Sequence, residues 1–293
     1  MRINQQLHKK PQKAVGLATM YPQMAADFDG TRVTTANDLT GCFVHRDNRV
    51  VNPSQIPANT TLGRLMRLPF RLLPKGAIVR LLRGPARGKR WIADSTTTGF
   101  WLGYWELDAQ RLFASRLRRG DVVYDVGAHV GLYTLVSSIH VGEQGHVYAF
   151  EPSPRNLVYL RRHIELNYLS NCTVVEAGIS DCSGTRCFDL TEHDSAGHFS
   201  GSGTVTVQTL ALDDFLWAQQ GKRPPNALKI DAEGAELDVL RGARRIVTEF
   251  APLIFLSTHS DDLARQCCEW LTSAGYLLTP LDKDEFLAER CSK

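Results

Sequence analysis

The stretch that most restricts how this chain can fold is Asp125-Val126-Gly127-Ala128-His129-Val130-Gly131, entered through Gly120-Asp121-Val122-Val123-Tyr124. Val122 to Val126 is a short, β-branched apolar run of the kind that forms a strand buried on both faces, and the glycines after it end the strand in a tight turn. Leu132, Leu135, Val136 and Ile139 then recur at helical spacing. A strand, a glycine turn and a helix N-terminus in that order make a place where backbone N–H groups and the positive end of a helix face one ligand. Gly127 and Gly131 let the backbone approach that ligand with no Cβ in the way, and Asp125 sets a carboxylate at the strand's carboxyl end.

Gly145 to Glu151 reads as a second strand that finishes on an acid, 20 residues past Gly131. An open α/β sheet places there the carboxylate that holds ribose hydroxyls of a nucleotide-like cofactor. A dinucleotide site would show Gly-x-Gly-x-x-Gly, whereas this pattern is Asp-x-Gly-x-x-x-Gly, led by an acid and carrying two glycines. An acid at the first turn suits a ligand with a cationic amino acid end. That favours S-adenosylmethionine over NAD. The plainer alternative, a glycine turn kept only for packing, fits less well, because strand, turn, helix and second acid all agree.

Downstream the chain alternates. Ser153 or Pro154 opens a helix through Leu166, and Cys172 to Glu176 reads as a third strand. Ser180 and Asp181 follow, at the place where such a sheet reads an adenine's amino edge, an ordinary turn being the alternative. Phe188 to Asp214, rich in Ser, Gly and Thr, suggests a hairpin or flap inserted at the sheet's edge. Ala227 to Asp231 is a fourth strand and Pro252 to His259 a fifth, with a helix between them. The expected fold is therefore α/β and doubly wound, with ligands beyond the carboxyl ends of its parallel strands.

Asp231, Glu233 and His259 fall at those ends. Methyl transfer from a sulfonium is an in-line displacement, so the protein must align acceptor, methyl and sulfur and remove one proton. His259 is the first candidate for the base, since an unperturbed imidazole pKa of about 6.5 keeps it largely neutral. Asp231 and Glu233 would orient the histidine or the acceptor hydroxyls. A carboxylate pair is also competent to hold a divalent ion, although no metal is expected. Lys229 lies inside the strand and should pair with a neighbouring acid. Where an amine or nucleobase methylase carries Asn-Pro-Pro-Tyr, this chain reads Asp231-Ala-Glu-Gly-Ala-Glu236, which favours a hydroxyl acceptor.

The sequence divides into a poorly defined extension (1–60), a helical cap and lead-in (61–119) and a cofactor-binding domain (120–293). From Gly63 to Arg90 there are nine Lys and Arg residues and no acid, interleaved with Leu and Phe, which predicts a basic amphipathic helix interrupted at Pro69 and Pro74. It reads first as a cap whose apolar face docks on the main domain with its basic face solvated; the alternatives are weak contact with an anionic membrane surface, or a substrate phosphate or nucleic acid. The net charge of +3 is too small to argue for nucleic acid. Thr96 to Glu106 packs Phe100, Trp101, Tyr104 and Trp105 into a few residues, as core or as a pocket wall. Seven scattered cysteines without Cys-x-x-Cys spacing speak against zinc and for reduced thiols. With no signal peptide and no apolar run of membrane-span length, a cytoplasmic location is expected.

Taken together, the sequence resembles the FkbM family of S-adenosylmethionine-dependent methyltransferases. The resemblance rests on Trp101-Leu-Gly-Tyr-Trp-Glu106, Asp125-Val-Gly-Ala-His-Val-Gly-Leu-Tyr-Thr134, Phe150-Glu-Pro152, Ser180-Asp181 and Lys229-Ile-Asp-Ala-Glu-Gly-Ala-Glu236, in the family's order. It implies the class I methyltransferase (Rossmann-like) sheet of six parallel strands and one antiparallel. It also implies cofactor contacts from Asp125, Gly127, Gly131, Glu151 and Asp181, and O-methylation of a hydroxyl on a sugar, glycolipid or secondary metabolite. Two positions depart from the family: His129 replaces an Asn, and Ser257 replaces an acid. RNA or protein methylation on the same fold, and a non-catalytic membrane-surface role, are the competing readings.

Overall fold

The computed structural model describes residues 60, 73–190, 197–199, 203, 205–218 and 221–290. The extension expected over 1–60 lies outside the described residues except for Thr60. The described chain opens with a hairpin in which β1 (Ile78–Arg80) pairs antiparallel with β2 (Arg90–Ile92). This corrects the amphipathic helix expected over Gly63–Arg90, whose first part, through residue 72, lies outside the described residues. Gly84 and Gly88, both at positive φ, turn the chain back on itself, and Trp91 and Ile92 of β2 are buried. A membrane-surface role for residues 73–90 therefore loses the helix on which it was argued.

Next come α1 (Thr98–Leu102) and α2 (Leu107–Arg116), then β3 (Val122–Val126), α3 (Leu132–Val141), β4 (His146–Phe150), α4 (Pro154–Leu166) and β5 (Cys172–Val175). Short strands β6 (Gly178–Ile179), β7 (Gly184–Leu190), β8 (Gly197–Phe199) and β9 (Val205–Leu210) follow. After α5 (Leu212–Trp217) the chain runs through β10 (Ala227–Ile230), α6 (Glu236–Gly242), α7 (Arg244–Phe250), β11 (Leu253–Ser257), α8 (Asp261–Ser273), β12 (Tyr276–Pro280) and β13 (Glu285–Arg290).

The main sheet has the order β12-β13-β11-β10-β3-β4-β5, and β13 alone runs against its neighbours. All five residues of β3 are buried although their side chains alternate between faces, so both faces of the sheet are covered. This is the class I methyltransferase fold. β4 lies on one side of β3 and β10 on the other, which makes the carboxyl end of β3 the topological switch point where such sheets bind ligands. Among the described residues no helix is long and apolar enough to cross a membrane.

The expected hairpin is present, β7 pairing antiparallel with β8 and with β9, but within a separate sheet of four strands ordered β6-β9-β7-β8 and not at the edge of the main one. Gly178 and Ile179 pair in parallel with Thr209 and Leu210, so the chain leaves the main sheet after β5.

His163 ties the hairpin to the sheet's helices. Its Nε2 accepts the Ile92 N–H at 2.9 Å, and its Nδ1 lies 2.7 Å from the Val130 carbonyl, so the neutral ring with its proton on Nδ1 satisfies both. The ring also stacks on Trp91 at 3.9 Å between centroids. Burial pushes the imidazole down to about 4 from 6.5. A base whose folded pKa is depressed gives stability that is lost as pH falls through that interval. The stability that wild type holds over a His163→Gln variant should shrink in thermal melts as pH falls from 6.5 to 4; a difference that does not change with pH would take this histidine out of the acid dependence.

Candidate active site

A cavity of about 310 Å3 opens at the switch point. Asp125, Gly127, Ala128 and His129 from the end of β3, Glu151 from the end of β4, and Asp231 and Glu233 from the end of β10 all line it, with Lys229 and the aromatic pair Phe100 and Trp105. Three of these elements are neighbouring parallel strands. Their carboxyl ends deliver residues far apart in sequence to one place.

At the end of β4, the Glu151 carboxylate is held from two directions. Oε2 accepts the His129 N–H at 2.8 Å, while Oε1 accepts the Ser153 N–H at 2.9 Å and the Asn156 side-chain amide at 3.2 Å. Burial raises this acid to about 7 against those hydrogen bonds. Asp125 is equally buried and accepts the Thr134 hydroxyl; burial lifts it to about 6, with Thr134 and Lys229 pulling the other way. Gly127 sits at φ +76, and a Cβ there would overlap the Asp231 carbonyl oxygen. His129 lines the cavity at φ +52, and its buried Nε2 has no hydrogen-bond partner among the described residues. A buried polar atom of that kind is one that a ligand can satisfy.

On the other side, Asp231, Glu233 and His259 come together as expected. His259 Nε2 lies 3.2 Å from Glu233 Oε2 and 3.6 Å from Asp231 Oδ1. Its Nδ1 lies 2.8 Å from Oε1 of Glu236, a wholly buried carboxylate that also accepts the N–H groups of Ala232 and Gly234. The hydrogen bond to Glu236 raises the imidazole to about 9 against burial, and the charges of Glu236, Glu233 and Asp231 add to the rise. The ring is thus protonated at neutral pH, which corrects the expectation of a neutral histidine. Asp231 and Glu233 line the cavity, and His259 touches it only through them.

Two further placements concern expected cofactor contacts. Gly131 precedes α3 at φ +99, and a Cβ there would press on Leu160 of α4 at 2.7 Å, so close packing of α3 on α4 also requires a glycine here. Ser180 and Asp181 end β6 in the small sheet. Ser180 is buried and Asp181 pairs with Arg186 at 2.6 Å, while the cavity wall is made by the preceding Ala177, Gly178 and Ile179.

Sequence reasoning passed over Glu236, Glu106 and Tyr133. Glu106 and Tyr133 line the cavity and bond to each other at 2.9 Å. The only local sign is backbone: Glu106, His129 and Glu233 all line the cavity at positive φ, a strain that concentrates at functional sites. Positive φ at such residues cannot be read from their type.

A seven-stranded sheet of this order with a cavity at its switch point defines a class I methyltransferase. The family model described as Methyltransferase FkbM domain matches residues 125–278. The chain belongs to this FkbM family and is an S-adenosylmethionine-dependent methyltransferase. It is 26% identical over 185 residues to the hexuronic acid methyltransferase AglP of Haloferax volcanii, covering 61% of this chain and 74% of that protein. It is also 26% identical over 164 residues to the 2-O-methyltransferase NoeI of Sinorhizobium fredii, covering 49% and 66%. The crystal structure of Methyltransferase FkbM from Methylobacillus flagellatus superposes with a TM-score of 0.43 at 19% identity, over 67% of this chain and 55% of that one.

Proposed function

We propose that the protein transfers the methyl group of S-adenosylmethionine to a hydroxyl of a sugar or glycan acceptor. The observation that carries this reading is a single lining that joins Asp125 and Glu151 to Asp231, Glu233 and the stacked rings of Phe100 and Trp105, whose centroids are 4.7 Å apart. Carboxylates accept hydroxyl donors, and a flat aromatic face takes the C–H face of a sugar ring. The names of the two relatives, one for a hexuronic acid and one for 2-O transfer, point the same way.

In this reading Glu151 accepts the cofactor's ribose hydroxyls, and Asp125 and His129 face its methionine end. The acceptor hydroxyl gives its proton to Asp231 or Glu233, the carboxylates that line the cavity, while His259 positions them from behind. The acceptor oxygen forms the new bond to the methyl carbon, and the C–S bonding pair stays on sulfur, which leaves neutral S-adenosylhomocysteine. Free thiols at Cys172, Cys182, Cys187, Cys267 and Cys268 suit a reducing compartment, and we place the enzyme in the cytoplasm.

Calorimetry tests the cofactor half. Each hydrogen bond to a charged group is worth about 1.5–3 kcal/mol, so Glu151→Ala should weaken S-adenosylmethionine binding by roughly tenfold to more than a hundredfold. Only the ionised carboxylate accepts both ribose hydroxyls, so affinity should rise as pH rises through about 7. Wild-type affinity in the variant would remove Glu151 from the site. For the acceptor half, labelled methyl groups should appear on hexosides, hexuronides, glycolipids or secondary-metabolite hydroxyls. Label on an amine or on RNA, and on no hydroxyl, would overturn the reading.

A further inference from the structure

We propose that Asp231, Glu233 and His259 form a binding site for one first-row divalent cation beside the methyl-acceptor position. The inference deepens the reading above, because it assumes that the cavity wall they share faces the acceptor.

Donor chemistry and spacing carry it. Each residue offers one ligand atom, and the three atoms lie within 4.8 Å of one another. Metal bonds of about 2.0–2.2 Å place neighbouring ligand atoms about 3.0 Å apart at right angles and about 3.5 Å apart in a tetrahedron. The observed separations from His259 Nε2, 3.2 Å to Glu233 and 3.6 Å to Asp231, match that geometry. The side chains need little movement to close on an ion.

The surroundings of the histidine form a second observation. A metal-bound imidazole almost always directs its other nitrogen to a carboxylate, which fixes the tautomer and turns the free lone pair to the metal. Glu236 is placed for this, with Oε1 2.8 Å from His259 Nδ1. The same oxygen accepts the N–H groups of Ala232 and Gly234, so it locks the histidine in register with the loop that carries Asp231 and Glu233.

Charge is the third. Asp231, Glu233 and the wholly buried Glu236 are three carboxylates, and the Glu236 Oε2 atom has no hydrogen-bond partner among the described residues. Lys229, 3.3 Å from Asp231 Oδ2, sets one lysine charge against these three carboxylates. Glu236 is the buried member of the three, and a buried carboxylate is costly unless a cation or hydrogen bonds offset it.

Two carboxylates and one imidazole suit manganese and its neighbours better than a thiolate-seeking ion. Three protein ligands leave coordination positions open. Asp231 and Glu233 line the cavity, so those positions face it and can take an acceptor hydroxyl or vicinal diol as ligand.

The test is a titration of the full chain with Mn2+, read by the loss of the free aquo-ion's electron paramagnetic resonance signal. The expected result is one Mn2+ per chain. Asp231→Asn, Glu233→Gln and His259→Gln should each weaken it at least tenfold, and Glu236→Gln should weaken it by about 10- to 100-fold by freeing the histidine. S-adenosylmethionine binding, measured on the same samples, reports that each variant is folded. Failure to bind Mn2+ at millimolar concentration, or binding that none of the four variants alters, would overturn the cation site and leave the methyltransferase reading intact. Mn2+ bound at these residues by a protein that methylates no hydroxyl would uphold the cation site and overturn the acceptor reading alone.

Discussion

Gly127→Ala is expected to destabilise the protein by about 2–5 kcal/mol, combining a left-handed backbone cost of about 1–2 with overpacking of about 1–3. Gly127 sits at φ +76, and the added Cβ would overlap the carbonyl oxygen of Asp231 on the neighbouring chain segment. That segment cannot retreat cheaply, because the Asp231 N–H is tied to the Val126 carbonyl at 3.0 Å and the Gly127 N–H to the Phe150 carbonyl at 3.0 Å. Gly234→Ala supplies the comparison. It has φ +101 and open space around it, so it should cost only the backbone term of about 1–2 kcal/mol. Urea unfolding of the two variants measures the difference. Equal losses would mean that the approach of β3 to the Asp231 loop does not decide the outcome. The Asp231 carboxylate is carried on the displaced backbone, so Gly127→Ala should also lose methyl transfer.

Lys229→Met should cost about 3–5 kcal/mol, the range for removing one partner of a buried charged pair. Lys229 is buried, with Nζ 2.8 Å from Ser257 Oγ and 3.3 Å from Asp231 Oδ2, and 4.9 Å above the Tyr133 ring. Burial disfavours its charge, but Asp231, Glu106, Asp125 and Glu285 outweigh burial and raise its pKa above 10.5. A raised pKa means that the stabilisation is fully present at neutral pH and fades only as pH climbs through the raised value. Methionine would fill the space and leave Asp231 and Asp125 without their cation. Ser257→Ala, which removes one hydrogen bond and keeps the charge, should cost about 1 kcal/mol. If chemical denaturation gives the two variants the same loss, the lysine's charge is not what holds these acids in place.

Much of the strand-turn-helix arrangement that lines the cavity was legible before any coordinates. Asp125, the glycine turn, α3 and Glu151 lie within one strand-turn-helix-strand unit, where period and turn residues act over short chain distances. Lys229 also behaved as read, pairing with an acid two residues away. The hairpin of β1 and β2 was not legible, because apolar residues between bases suit a helix face and a strand face alike. What settled it was Trp91 stacking on His163, a partner 72 positions along the chain. Ser180 and Asp181 do follow a strand end, but of a strand in the smaller sheet. The alternation after β5 does not say which sheet a two-residue strand joins, and pairing with Thr209 and Leu210 takes it out of the main one.

The sequence by itself determined the fold class, the family and the strand ends at which a ligand must sit, since these depend on repeating apolar patterns and on turn chemistry that any short window carries. Only the tertiary structure decided what the residues at those ends do. Gly131 packs closely against Leu160, Glu236 bonds His259, and three carboxylates favour the charged form of an imidazole expected to be neutral. The physical reason is range. Backbone periodicity is a property of neighbours in the chain, whereas burial and the field of nearby charges set protonation and contact, and both exist only once β10, β11 and α6 have been brought side by side.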